Sequence, residues 1–205
     1  MKKGTLSEIK EREKDARRTI IIDAAEKEFA TTPFNRVTMR QIARRAGISP
    51  ALIYRHFPDQ QSLFVEAFLR GVNDVFEGIY LRIDGSEEGL INDVALEFVE
   101  FFTRNDQYFR MMMNFFLDGS VDPDLFAKLN IVERRMLDHF DKMFIKLRCR
   151  GNVRFHSHTL FAALIGIVAT YRSHPEKNDD EVLTHRKRIA GELAELFSYL
   201  HSDTE

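Results

Sequence analysis

Apolar residues recur at intervals of three and four along nearly the whole chain, and no segment alternates apolar with polar residues long enough to make a strand. The pattern predicts an all-α fold of about nine helices. Thr5-Leu6-Ser7-Glu8 fits a capping box, so a first helix starts there and runs through Ile20, Ala24 and Ala25 to Phe29, stopping before Thr32-Pro33. Two short helices follow within residues 38–57. Pro58-Asp59 restarts the chain into a long helix whose stripe of Leu63, Phe64, Ala67, Phe68 and Phe76 runs to about Ile83, where Asp84-Gly85-Ser86 breaks it. Beyond it the pattern predicts a helix over 87–104, a turn over 118–123, a long amphipathic helix to about Arg148 ended by Gly151-Asn152, and two last helices over 154–173 and 179–201 with His174-Pro175 between them. No internal repeat or low-complexity tract interrupts this order.

The densest information lies in residues 38–57. Ile42, Ala43 and Ala46 give the first short helix a small apolar face, Gly47 suits a left-handed turn, and Ile48 fills the corner. Ser49 caps a second helix that opens on Pro50, and Ile53 and Phe57 face back toward the first. This is the pattern of a helix-turn-helix, with Pro50, Ala51, Tyr54, Arg55 and His56 on the outer face. Charge follows the same division. The chain has 30 Lys+Arg and 32 Asp+Glu, yet residues 1–57 carry a net charge of +6 and residues 58–205 a net of −8. A basic module attracts phosphate, and an acidic remainder is repelled by it. The expected division is therefore a DNA-binding domain at 1–58, with a charged extension at 1–18, and a larger acidic domain at 59–205 suited to other work. The extension is either a DNA-seeking arm or a solvated helical lead-in diluted by Glu8, Glu11, Glu13 and Asp15.

Composition removes several classes. Hydrophobic residues make up 44% of the chain, too many for a disordered protein. The lone Cys149 closes no internal disulfide, residues 1–18 contain no apolar signal segment, and the longest uncharged run, 155–171, is short and polar for a membrane span. A cytoplasmic protein without a membrane partner is expected. No phosphate loop, serine elbow or paired zinc motif is present, so neither an enzyme nor a cofactor is expected. His139, His156, His158 and Glu133 leave open a metal-responsive version of the same scaffold. A helical interaction module that does not bind DNA is the other alternative, and it leaves the basic helix-turn-helix unexplained.

The last two helices carry wide apolar faces. Ala162, Ile165, Gly166 and Ala169 in one, and Ile189, Leu193, Leu196, Phe197 and Leu200 in the other, suit a four-helix homodimer contact, although such stripes also pack within a subunit's own core. Phe101, Phe102, Tyr108, Phe109, Met112, Met113, Phe116, Phe126, Met136, Phe140, Met143, Phe144 and Phe161 form an aromatic and thioether cluster, either plain core or the lining of an adaptable pocket for an apolar or aromatic molecule.

Ile42-Ala43-x-x-Ala46-Gly47-Ile48-Ser49, then Ile53-Tyr54-x-His56-Phe57 and Leu63, resembles the signature of the TetR/AcrR family of bacterial transcriptional regulators, over residues 20–68. The resemblance implies three N-terminal helices that bind DNA, a linking fourth helix, and a larger domain that binds a small molecule and dimerises through its last two helices. It implies that Thr38 caps the second helix and touches a phosphate, that Arg40 reaches a base or the backbone, and that Pro50, Ala51 and Leu52 meet base edges while Tyr54 and His56 hold phosphates. Arg44, Arg45 and Arg55 fit phosphate tracking by charge alone. The chain departs from the family pattern in having Ala51 where glycine is frequent and Gln60 where lysine is frequent, which alters base preference and weakens one phosphate contact. The expectation is a ligand-responsive repressor that binds a palindromic double-stranded operator as a homodimer and is released by a hydrophobic or aromatic small molecule.

Overall fold

The computed structural model describes residues 6–85, 87–117, 123–172 and 176–200. Among them the regular elements are α-helices, α1 (Leu6–Thr31), α2 (Met39–Arg45), α3 (Pro50–His56), α4 (Gln60–Asp84), α5 (Leu90–Arg104), α6 (Asp106–Leu117), α7 (Pro123–Lys146), α8 (Val153–Thr170) and α9 (Asp179–Ser198), with one 3-10 turn at Phe34–Arg36. The all-α expectation holds. Two boundaries differ from the sequence pattern. A separate helix, α6, occupies 106–117, because Asn105 leaves helical geometry and ends α5 without glycine or proline. Helix α7 ends at Lys146, two residues before the expected end at about Arg148: Arg148 takes a left-handed conformation with φ 53°, and the Cys149 N–H reaches back to the Phe144 carbonyl at 3.0 Å. Thr5, Ser86, the expected turn over 118–122, the His174-Pro175 break and residue 201 of the expected last helix lie outside the described residues.

The chain forms two compact units, one of Met1–Gly71 with Gln107–Leu129 and one of Val72–Asp106 with Asn130–Glu205. Within the first, the carboxyl-terminal half of α1 buries Ile21, Ala25 and Phe29 with Ile42 and Ala43 of α2, Ile53 of α3 and Leu63, Phe64 and Ala67 of α4. Phe29, Phe34 and Phe64 meet as an aromatic triplet, edge-on at 4.8 Å between Phe29 and Phe64. Arg18 fastens α1 across this core. Its guanidinium pairs with Glu66 of α4, donates to the His56 carbonyl at 3.2 Å, and lies 4.5 Å from the centre of the Phe57 ring. Helix α6 belongs to the same unit. The Tyr108 ring lies against Gly71, its phenol is hydrogen-bonded to Glu26, and Asn114 donates to the Phe29 carbonyl.

The second unit has α5, α8 and α9 in mutual contact. Phe98 touches Phe102 at 4.8 Å, Phe161 at 6.0 Å and Phe140 at 6.4 Å, and Phe144 packs on Phe197 at 5.7 Å. Arg186 of α9 is only 4% exposed; it donates to Thr103 Oγ1 of α5 and to the Val168 and Tyr171 carbonyls at the end of α8, at 2.8 to 3.0 Å. Burial, and then the charge of Arg172, lower its pKa from the ordinary arginine value. By length and composition alone α8 is long and apolar enough to cross a membrane, a test that the core helix of a soluble protein also passes. Its Ser157, Leu160, Leu164, Ile167 and Val168 are buried among the helices of its own unit, as in a core helix.

A methyl group at position 71 would overlap the Tyr108 ring, which Glu26 holds in place. Gly71→Ala is expected to destabilise the protein by roughly 1 to 3 kcal/mol. Adding Tyr108→Ala should recover part of that deficit, read as non-additive thermal or denaturant unfolding of the double variant.

Candidate nucleic-acid interface

The turn between α2 and α3 is built from local chemistry. Thr38 caps α2 in a reciprocal box: its hydroxyl accepts from the Gln41 N–H at 3.2 Å and its own N–H donates to Gln41 Oε1 at 2.8 Å. Gly47 takes φ 69° and lets the Ile48 N–H reach the Ala43 carbonyl at 3.0 Å, closing the end of α2. Ser49 Oγ accepts from the Leu52 N–H, and Pro50 occupies the first helical position, where a missing N–H costs nothing. Ile53 and Phe57 are almost completely buried, and this fixes the rotation of α3.

That rotation leaves Ser49, Pro50, Ala51, Tyr54 and Arg55 exposed and Leu52 and His56 half-buried; Thr38, Arg40, Arg44 and Arg45 are exposed on and before α2. The three arginines assigned by charge differ in what they meet. Arg45 is tied to Glu28 of α1 at 2.5 Å, whereas Arg44 and Arg55 make no ion pair among the described residues. Arg40 makes none among them either. Gln60 has a structural task that leaves no mark in the sequence: its amide donates to the Phe34 carbonyl at 2.6 Å and pins the 3-10 turn to α4. His56 is more constrained than its neighbours. Its Nδ1 is buried with no hydrogen-bond partner among the described residues, and burial first, then the charges of Arg18, Arg55, Arg17 and Lys14, lower its pKa. A cationic imidazole gripping phosphate is therefore disfavoured in the free protein.

The pocket candidates are divided between the two units. Tyr108, Phe109, Met112, Met113, Phe116 and Phe126 belong to the first unit, and Phe101, Phe102, Met136, Phe140, Met143, Phe144 and Phe161 to the second. Phe102, Phe109, Met112, Met136, Phe140, Met143 and Phe144 are buried, while Phe116 and Phe126 are about half-exposed. Tyr108 is committed to Glu26, and burial together with that carboxylate pushes its phenol up to about 12. Of the dimer candidates, Phe197 is a correction, since it packs on Phe144 inside its own unit. Ala162, Ile165, Gly166, Ala169, Ile189, Leu193, Leu196 and Leu200 all retain accessible surface. The histidines do not converge: His139 stacks on Phe76 with Nδ1 toward the Arg135 carbonyl, and His156 Nε2 meets the Arg150 carbonyl. No group of three His, Cys, Asp or Glu that could hold a metal ion occurs among the described residues.

Residues 21–67, spanning the end of α1 to α4, match the profile of bacterial regulatory proteins of the tetR family. This segment is similar to the DNA-binding segment of tetR-family regulators. Relatives of the chain include an uncharacterized HTH-type transcriptional regulator of Haemophilus influenzae, 30% identical over 49% of this chain and 51% of that protein. Another is the HTH-type transcriptional repressor KstR2 of Rhodococcus jostii, 38% identical over 41% and 40%. The chain thus spans about half the length of the curated relatives it matches. The fold likeness is broader. The crystal structure of FadR from Bacillus subtilis in complex with stearoyl-CoA superposes with a TM-score of 0.71 at 17% identity, over 91% of this chain and 99% of that one.

The lowered pKa of His56 has a defined pH consequence. The folded state binds fewer protons at His56 than the unfolded state, so stability is full above the unfolded value near 6.5 and is lost as pH falls from there toward the lower folded value. The fall in melting temperature between pH 7.5 and 5.5 is expected to be smaller in His56→Gln than in the parent; equal slopes would place the imidazole in an ordinary solvated environment.

Proposed function

We propose that the chain is a DNA-binding transcriptional regulator, a repressor that binds a palindromic operator as a homodimer and is released by an apolar or aromatic small molecule. The single observation that carries the DNA-binding part is the orientation of α3: Ile53 and Phe57 are buried, and Pro50, Ala51, Tyr54 and Arg55 are turned outward from a segment of net charge +6. In this reading α3 enters the major groove, with Pro50, Ala51 and Leu52 at base edges and thymine methyls, and Tyr54, Arg55, Arg44, Arg40, Ser49 and Thr38 on the backbone or nearby bases. Arg45 contributes only if its pair with Glu28 opens, and His56 contributes in its neutral form. The operative division is then a DNA-binding part at 1–58 and an effector and dimerisation part at 59–205, with α4 running unbroken from Gln60 to Asp84 as the connector.

Dimerisation is assigned to the accessible apolar surface of α8 and α9. Leu196 is 66% exposed, and Ile165, Gly166, Ile189 and Leu193 are partly so. A two-fold pair sets two recognition helices on half-sites about 34 Å apart or a multiple of it. Support for an apolar effector comes from the aromatic and thioether content of 98–144 and from the fold shared with a regulator whose structure holds stearoyl-CoA. The effector acts by binding better to the conformation with misplaced recognition helices, a coupling typically of about 1 to 3 kcal/mol.

Selection from a random duplex library tests the core of this reading: the protein is expected to enrich an inverted repeat. Tyr54→Ala should weaken binding to the enriched duplex by about tenfold or more, a change of ~1.4 kcal/mol or greater, without altering the melting temperature or the dimer mass. Unchanged affinity would remove α3 from the interface. Leu196→Glu is expected to shift the mass in solution from dimer to monomer, and a dimer that persists would put the contact on another face. Stearoyl-CoA serves as the effector probe, and it should raise the protein concentration needed to half-saturate the duplex; tighter binding would reverse the sign of the response.

A further inference from the structure

Lys10, Lys14 and Arg17 follow one another at intervals of four and three in the exposed amino-terminal half of α1, so they share one helix face. That face borders a groove of about 420 Å³, which Leu52, Arg55 and His56 of α3 line as well. Among its lining residues Glu13 is the one carboxylate, against four permanent cations. The pairs that partly neutralise them are weak: Lys14 lies 3.5 Å from Glu11 and Arg17 3.8 Å from Glu13, all four side chains more than half exposed. The groove is held in place. Arg18, next to Arg17, clamps α1 to Glu66 and to the His56 carbonyl, so the cationic face is presented at a fixed distance from α3. The positive field is felt inside it, since Lys14, Arg17, Arg18 and Arg55 all act on the His56 imidazole.

We propose that this groove is a phosphate-binding extension of the DNA interface, in which Lys10, Lys14 and Arg17 take the duplex backbone flanking the bases met by α3. The proposal rests on the DNA-binding reading above and carries the interface from α3 onto α1. The occupant follows from continuity and charge. Leu52, Arg55 and His56 belong both to the groove and to the recognition helix, so a strand that lies along α3 passes this opening, and the groove offers donors where such a strand offers only acceptors. The described part of the amino-terminal extension is continuous helix from Leu6, which replaces the alternative of a flexible arm for these residues by a rigid cationic rail.

The test compares Lys10→Gln/Lys14→Gln/Arg17→Gln with Lys142→Gln/Arg135→Gln/Arg188→Gln, which removes the same charge from the second unit. Affinity for the duplex enriched by the parent protein is measured across a salt series. The first triple variant is expected to bind more weakly, with the slope of log affinity against log salt reduced by about 0.9 for each phosphate that is no longer neutralised, and to keep the parent's sequence preference. The second should match the parent. Glu13→Gln removes the carboxylate from the groove and should tighten binding by about twofold or more, which keeps the proposal testable if the triple variant has less helix than the parent. Equal slopes for the two triple variants, or no gain from Glu13→Gln, would overturn the groove while leaving α3 as the DNA-binding element. A parent protein that enriches no duplex would bring down both.

Discussion

An all-helical chain must satisfy the carbonyls left open at the end of each helix, and here cationic and amide side chains from distant segments do so. Arg18 of α1 donates to the His56 carbonyl at the end of α3, Lys146 of α7 to the Ile83 and Gly85 carbonyls at the end of α4, and Arg186 of α9 to the Val168 and Tyr171 carbonyls at the end of α8. Gln60 meets the Phe34 carbonyl in the same way. Hydrophobic stripes let helices slide and rotate against each other at modest cost. A donor that must reach a particular carbonyl does not, so these bonds fix register where the apolar contacts only fix proximity.

Arg186 shows what this arrangement demands. Its guanidinium is buried, among the described residues it has no carboxylate bonded to it and no partner for its Nε, and the neighbouring Arg172 works against its charge. Three acceptors on α5 and α8 offset part of that desolvation cost. The junction of the three helices therefore depends on all three acceptors being present together.

Helical period carries most of the fold, because each helix has to bury one face and that face recurs every three to four residues. The turn at Gly47 and the caps at Thr38 and Ser49 are legible in the sequence for a related reason: their chemistry is complete within a few residues. What stays hidden depends on distant partners. The clamp from Arg18 to Glu66 spans 48 positions and the bond from Arg186 to Thr103 spans 83, and neither leaves a periodic trace. Helix α6 escapes the pattern because no glycine or proline separates it from α5 and the break rests on the backbone of Asn105 alone. Phe197 resembles a dimer residue because a stripe on a helix does not say which neighbour it faces. Gln60 and Arg45 look available in the sequence because the engagement of a polar side chain is decided by tertiary partners, here Phe34 and Glu28.

The placement of Tyr108 changes how an effector would act on DNA binding. The tyrosine is a candidate pocket residue by sequence, yet α6 belongs to the unit that carries α1 to α3, and the Tyr108 phenol is bonded to Glu26 of α1. Glu26 in turn pairs with Arg70 of α4 at 2.8 Å, and Arg70 also holds Asp23. Helices α1, α4 and α6 thus share one polar junction, closed on its other side by the contact of the Tyr108 ring with Gly71. With its pKa pushed up to about 12 the phenol stays protonated and keeps donating throughout the physiological range, so the junction is steady toward pH and responsive to displacement. Helix α6 is thus held to α1 through Glu26 and to α4 through Gly71. Arg18 joins α1 to the end of α3 through the His56 carbonyl and to α4 through Glu66, so polar contacts link α1, α3, α4 and α6 within this unit.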